Sequence, residues 1–157
     1  MYLGYQQGKI KFYTQESLDK ELYCLEEVIE TTDEYVLDGE EYVLKNEAWE
    51  EKQKQEEKER IAKLYLTGAD VERGIYQAKG MDFDDILAYV TQLQPQGLDI
   101  KALKIELKAN NFYRGNPFVS AIGTLLGFTS EQLDKFFETN DYTVLVDEQT
   151  EVFNLEE

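Results

Sequence analysis

Along the first 45 residues apolar and polar positions tend to alternate, whereas from about residue 67 apolar residues recur three and four apart, so the chain changes its period once. In "YLGY" (Tyr2 to Tyr5) and "KIKFY" (Lys9 to Tyr13), Ile10 and Phe12 alternate with Lys9 and Lys11, and the Gln-Gln-Gly run between them predicts a hairpin. "EYVL" occurs at Glu34 to Leu37 and again at Glu41 to Leu44. The Asp38-Gly39-Glu40 spacer can take the positive φ of a tight turn, which predicts a second hairpin. Between the two, Leu18, Leu22, Leu25 and Ile29 keep helical spacing after Ser17, a candidate N-cap, while "EEVIETT" has the β-branched density of a strand. A short helical turn near Ser17 and a strand from about Leu25 reconcile the two signals, although helix and strand both stay open for residues 16–29.

Asn46 can cap "NEAWEEKQKQEEKERIAKLYL". From Glu50 to Arg60 every residue is charged or Gln, so this helix has no apolar stripe to bury or to form a coiled-coil seam. It reads as an exposed connecting helix over residues 46–66, with Trp49 anchoring one end and Ile61, Leu64 and Tyr65 the other. Ion pairs are expected at Glu50/Lys54 and Glu56/Arg60. A small β-rich domain (residues 1–45) precedes it and a helical domain (residues 67–140) follows.

In that second domain the signals are caps. Thr67 and Asp70 approximate a capping box ahead of Val71, Ile75 and Ala78, and Gly80 supplies a left-handed stop. Asp82 opens a helix with Ile86, Leu87, Val90 and Leu93 inward, broken by Pro95 and Gly97. Leu98 to Asn111 predicts a third helix around Leu103 and Leu107. The run "RGNP" reads as a helix-to-helix joint: Gly115 past one helix at positive φ, Asn116 capping the next, Pro117 in its first turn, and Arg114 exposed. Phe112, Tyr113 and Phe118 pack around it; the competing reading is a guanidinium clamp for a ligand. Gly127 ends the fourth helix, and Thr129 with Gln132 caps a fifth carrying Leu133 and Phe136 or Phe137. The closing residues 141–157 form an acidic tail expected to fray, with one possible strand at Tyr142 to Val146. The fold class is therefore α+β: antiparallel N-terminal hairpins, an exposed charged helix and a C-terminal bundle of short helices.

Composition narrows the chemistry. Apolar residues make up 42% of the 157, enough for a real core. No leading apolar stretch and no run long enough to span a bilayer is present, which predicts synthesis in the cytosol and no membrane partner. The single cysteine, Cys24, has no internal disulfide partner and reads as a small apolar filler. With no histidine, Ser-His-Asp and Cys-His catalysis and the usual zinc sites are out of reach, which argues against an enzyme and against a resident metal or cofactor. "DFDD" (Asp82 to Asp85) lacks the spacing of a calcium loop and suits a helix first turn. The pairs Glu26/Glu27, Glu40/Glu41, Glu50/Glu51 and Glu56/Glu57 read as solvated faces, and "GADVERG" lacks the Lys-Ser/Thr of a phosphate loop.

Charge adds a location. The net charge is −17, of which residues 16–41 hold eleven acids against Lys20 alone and residues 138–157 hold seven acids and no base. Elsewhere acids and bases balance. Such a surface repels phosphate backbones and matches a basic protein surface, so nucleic acid is not the expected direct partner. Glu26, Glu27, Glu30, Asp33 and Glu34 are the candidate partner-binding residues, mostly on an exposed face. Glu148, Glu151, Glu156 and Glu157 in the tail should contribute less, because a frayed segment loses entropy on binding.

The order of "GKIKFY", "EYVLDGEEYVLK", "WEEKQKQEEKERIAKL", "ADVERGIYQAKGMDFDDI" and "FYRGNPFVSAIGTLLGFTSEQLDKFF" resembles small phage and prophage tail-module proteins over about residues 1–138. The layout is similar to tail-fibre assembly proteins, in which a small β region precedes a charged helix. That resemblance implies a non-catalytic accessory or assembly protein acting in the host bacterium's cytoplasm or on the virion. The alternative is an anti-CRISPR-like inhibitor whose carboxylates occupy the basic nucleic-acid channel of a CRISPR effector.

Overall fold

The computed structural model describes residues 1–146 and divides the chain into two compact units, Met1–Glu56 and Glu57–Glu157. The first is built from β1 (Tyr2–Gln6), β2 (Lys9–Thr14), β3 (Glu27–Glu30), β4 (Tyr35–Asp38) and β5 (Glu41–Leu44), all in antiparallel pairs. Gln7 and Gly8, at φ 53° and 72°, form the turn between β1 and β2. The ladder then slips: Gly4 pairs with Phe12 but Tyr5 with Ile10, leaving Lys11 as a bulge. Because Gly4 and Tyr5 face opposite ways, so do Phe12 and Ile10, and the single apolar face expected for "KIKFY" is divided between the two sides.

β3 lies on the other side of β1, in the order β2-β1-β3. The connection to it turns on Asp19, not Ser17: the Asp19 carboxylate accepts the N–H groups of Glu21 and Leu22, each at 2.9 Å. The strand starts at Glu27 because Leu25 is taken into the small core with Leu3. Gly4 leaves room for that core, since a Cβ there would stand 3.0 Å from both Leu18 Cδ1 and Leu25 Cδ1. Cys24 is exposed and at φ 51°, so it fills no core position; the chain passes through it in the left-handed region to bring Leu25 inward.

The "EYVL" repeat forms the second hairpin as expected, with Asp38 opposite Glu41 and the positive φ of 66° at Gly39. Tyr13 joins it to β2, its ring 5.5 Å from Tyr35 and 5.9 Å from Tyr42, and its hydroxyl donating to Asp33 O. Lys11, freed by the bulge, donates to Glu40 O at 2.7 Å.

Helix α1 (Glu47–Ala62) starts where Asn46 Oδ1 accepts the Trp49 N–H, and none of its residues is buried. Ion pairs along the helix are Lys52–Glu56, Lys54–Glu51 and Arg60–Glu57 rather than the two expected from spacing, and Lys52 also pairs with Asp38 at 3.2 Å. Arg60 also has Glu138 within 2.8 Å, so its guanidinium is oriented away from Glu56 towards two other carboxylates. Tyr65, expected as an anchor, is exposed, because it starts a strand that turns Leu66 inward instead.

The second unit contains β6 (Tyr65–Thr67), α2 (Gly68–Lys79), α3 (Phe83–Leu93), α4 (Ile100–Glu106), β7 (Asn111–Tyr113), α5 (Pro117–Leu125), α6 (Ser130–Thr139) and a 3-10 helix (Tyr142–Leu145). Thr67, Asp82 with Asp85, and Thr129 with Gln132 cap their helices as the sequence predicts, and Gly80 and Gly127 take positive φ. Four expectations about its elements and turns change. The third helix stops at Glu106, because β7 pairs with β6, Leu66 opposite Phe112. Leu93 is exposed, since the chain leaves α3 through Gln94 in the left-handed region. Gly115 is not at positive φ; a Cβ there would stand 2.9 Å from Ala62 O, so close backbone approach selects it. The possible strand at Tyr142 to Val146 is the 3-10 helix, opened by Asp141 and burying Leu145 in the core. The fraying expected of the tail, with Glu148, Glu151, Glu156 and Glu157, lies outside the described residues.

Two glycines set how closely α6 approaches its neighbours. A Cβ on Gly74 of α2 would collide with the Phe136 ring, and one on Gly123 of α5 would stand 2.5 Å from Leu133 Cδ1. Gly74→Ala gains about 1 kcal/mol of helix propensity but overpacks a buried ring at about 1–3 kcal/mol, so we expect a net loss of about 1 kcal/mol in chemical denaturation. Adding Phe136→Leu to Gly74→Ala should make the glycine change less costly than it is alone; equal costs in both backgrounds would show that the ring does not set the spacing.

Candidate functional site

The five candidate partner-binding residues lie on β3 and its flanking turns, and all five are exposed. They are not equivalent. Glu26 Oε2 accepts the Gly8 N–H at 2.9 Å and so steadies the first hairpin turn. Glu34 pairs with Lys45 at 2.9 Å and closes the open end of the β4–β5 hairpin, where Lys45 N–H also donates to Glu34 O. Glu27 and Glu30 stand at the two ends of β3, three residues apart and therefore on opposite faces. Among the described residues no ion pair engages the carboxylates of Glu27, Glu30 or Asp33. The five acids thus divide: two hold the fold and three are left to solvent. Nearby, burial raises the pKa of the Tyr35 phenol above its ordinary 10.0, with Tyr5, Asp33 and Tyr13 adding to the effect.

Arg114 is the one buried charged side chain among the described residues, at 8% exposure, which overturns its expected exposure. Its Nε donates to Asp134 Oδ1 at 2.7 Å, Nη1 to Ser120 Oγ at 2.9 Å, and Nη2 to Ser130 Oγ at 3.0 Å. The guanidinium is consumed internally, so it ties β7 to α5 and α6 and leaves the clamp reading without a free fork. The joint reading is correct for Asn116, whose Oδ1 accepts the Phe118 N–H, and for Pro117 at the helix start. Phe112 is buried and Phe118 packs against the core, but Tyr113 points out against Tyr65, ring centroids 5.6 Å apart. No local signal reveals the Arg114 network, because Ser120, Ser130 and Asp134 meet it only in three dimensions.

Of "DFDD", Asp82 and Asp85 exchange capping hydrogen bonds at 2.8 and 3.1 Å. Among the described residues no group of three or more His, Cys, Asp or Glu side chains is placed to hold a metal ion. The helical unit contains a partly open cavity of about 50 Å³ among Ile86, Leu103, Phe112, Ile122 and Phe136. Its one charged neighbour, Glu106, accepts from Asn116 Nδ2 at 2.9 Å. Ligand pockets commonly hold about 300–1,000 Å³, so this is a packing void. No helix among the described residues is long and apolar enough to cross a membrane.

Two tests separate architecture from recognition. Arg114→Ala should destabilise by about 2–4 kcal/mol, because it strands a carboxylate and two hydroxyls, and Asp134→Asn should cost less because the serines still hold the guanidinium. Equal stability of wild type and Arg114→Ala in urea would return Arg114 to the ligand-clamp reading. The second test uses pH. The Thr67 hydroxyl, the Asn140 side chain and Arg73 hold Asp70 below its ordinary 3.8, and Thr143 does the same for Asp141. A depressed folded pKa stabilises above the unfolded value, near 3.9, and that contribution is lost as pH falls through the folded value. Melting temperature should therefore drop below about pH 4, and Asp70→Asn with Asp141→Asn should flatten that drop; an unchanged slope would assign acid sensitivity elsewhere.

No protein-family model matches the chain, and comparison with curated proteins and with solved structures finds no match. Its function is accordingly inferred from the chemistry of its own surface and from the resemblance of its sequence pattern.

Proposed function

We propose that this chain is a non-catalytic, phage- or prophage-encoded protein-binding protein, an accessory or assembly factor of the tail module, whose acidic N-terminal unit meets a basic surface on its partner. The observation that supports the binding reading is the set of unpaired carboxylates Glu27, Glu30 and Asp33 in a segment where Lys20 is the one base among residues 16–41. Carboxylates already paired to lysines have spent their attraction; these have not. The tail-module assignment rests on the sequence pattern, and it places the protein in the host cytoplasm or on the virion.

The same localised acidity favours a second reading, inhibition of a CRISPR effector by occupying its basic nucleic-acid channel. The two differ in what competes: nucleic acid should displace the protein from an effector channel but not from a tail component.

Capture of partners from phage-infected cells with a tagged chain, followed by association kinetics on the captured protein, tests this. Association should slow steeply between low salt and 0.5 M, since the screening length falls from about 10 Å at 0.1 M towards 3 Å at 1 M. Glu27→Gln, Glu30→Gln and Asp33→Asn together should slow association several-fold at unchanged melting temperature, whereas Glu26→Gln with Glu34→Gln should lower the melting temperature. Association that is flat with salt, or indifferent to the triple change, would leave the acid as a solubility device.

A further inference from the structure

We infer that the outer edge of β3 is a docking strand: a partner's extended segment with the pattern basic-apolar-apolar-basic adds to the sheet there. The inference rests on the proposed basic partner and goes further by naming the binding mode and the recognised pattern.

Among the described residues β3 has β1 on one side and no strand on the other. Thr31 N–H donates to Met1 O at 2.8 Å, so Thr31 faces β1. In a strand successive residues turn their N–H and C=O groups to alternate sides; Ile29 therefore also faces β1, and Val28 and Glu30 present theirs outward. That is a row of unpaired backbone groups of the kind to which an added strand bonds. The side chains supply selectivity. Ile29, opposite the buried Leu3, is 38% exposed, so the apolar face reaches the edge and stays partly open there. Val28 is half-buried on the other face, and Glu27 and Glu30 bracket the pair. A strand laid alongside thus meets acid, apolar, apolar, acid in either direction, because the order reads the same both ways.

The occupant is not a second copy. Antiparallel pairing of β3 with β3 centred on the strand places Glu27 opposite Glu30 twice, and like charges directly opposite destabilise a pair. A segment with Lys or Arg at the outer positions turns both repulsions into attractions while keeping Val28 and Ile29 covered.

The probe is an end-blocked hexapeptide, Thr-Lys-Val-Ile-Lys-Thr, titrated into the full chain with amide chemical shifts and fluorescence anisotropy as readouts. Two versions carry N-methyl groups on alternate residues, one on each edge of the peptide. Shift changes should centre on Val28 and Glu30, and one N-methylated version should lose about tenfold or more in affinity while the other stays within about twofold, because only one edge of an added strand bonds to the sheet. Glu27→Lys with Glu30→Lys should reverse the preference towards Thr-Glu-Val-Ile-Glu-Thr. Equal affinity of both N-methylated versions, with binding still salt-sensitive, overturns strand addition while leaving the acidic-surface reading intact. No binding of the unmodified peptide overturns strand addition, and the salt dependence of association with the captured partner decides the acidic-surface reading separately. Concentration-dependent shifts at Val28 and Glu30 in the chain alone would assign the edge to a second copy and overturn the inference.

Discussion

The second unit depends on what α6 can touch. Its apolar side chains, Leu133, Phe136 and Phe137, enter the core, and two of them require glycine on the facing helix, Gly123 and Gly74. Its polar side chains at four-residue steps work equally hard: Ser130 and Asp134 hold Arg114, and Glu138 holds Arg60. Past its end, the Asn140 side chain reaches Asp70 at the start of α2. One ten-residue helix therefore fixes α2 and α5 by shape and the β7 joint by charge. Dense packing makes both kinds of contact sensitive to small displacements, because an interior at crystal-like density has little free volume to absorb them. The small void beside Phe136 is the residue of that arrangement, a place where rings and β-branched side chains do not quite interlock.

The first unit solves a different problem. Leu3 and Leu25 are the only buried hydrophobic side chains there, too little apolar surface to specify a sheet by itself. Its order comes instead from side chains that bond backbone across strand ends: Glu26 to Gly8, Lys11 to Glu40, Tyr13 to Asp33. The bulge at Lys11 is part of that solution. It sends the lysine towards the second hairpin and divides Ile10 from Phe12, so each face of the sheet receives one apolar side chain instead of one face receiving both.

Elements whose signals are local could be read from the sequence. The helix caps of the second unit, the "EYVL" hairpin and the exposed charged helix depend on residues close together in the chain, and all three stand. What escaped reading depends on distant partners. β6 and β7 are three residues each, and their pairing joins Tyr65–Thr67 to Asn111–Tyr113 across the whole segment that holds α2, α3 and α4. Arg114 looked like surface because its three side-chain partners lie 6, 16 and 20 residues further on. At Gly115 the sequence points to a joint but not to its cause, since close approach and positive φ leave the same letter in the sequence. At the candidate site, composition located the acid-rich segment, but which carboxylates hold turns and which face water required the hairpin geometry. Cys24 shows the same limit: burial is the ordinary fate of a free cysteine, and a turn that brings Leu25 inward leaves this one outside.

Acid along β3 has two physical consequences that usually oppose each other. An open strand edge invites pairing with any exposed strand, and proteins commonly suppress this with charge. Here the charge sits at both ends of the strand and the apolar pair sits between, so suppression falls on identical edges and on acidic or neutral chains ending in Glu or Asp, while a basic-flanked strand escapes it. Backbone hydrogen bonds alone cannot discriminate, because every extended segment offers the same donors and acceptors. Discrimination has to come from side chains whose electrostatic sign differs between right and wrong partners. Glu27 and Glu30 meet that requirement, and Glu26 and Glu34, committed to Gly8 and Lys45, keep the strand and its neighbour in place while they do so.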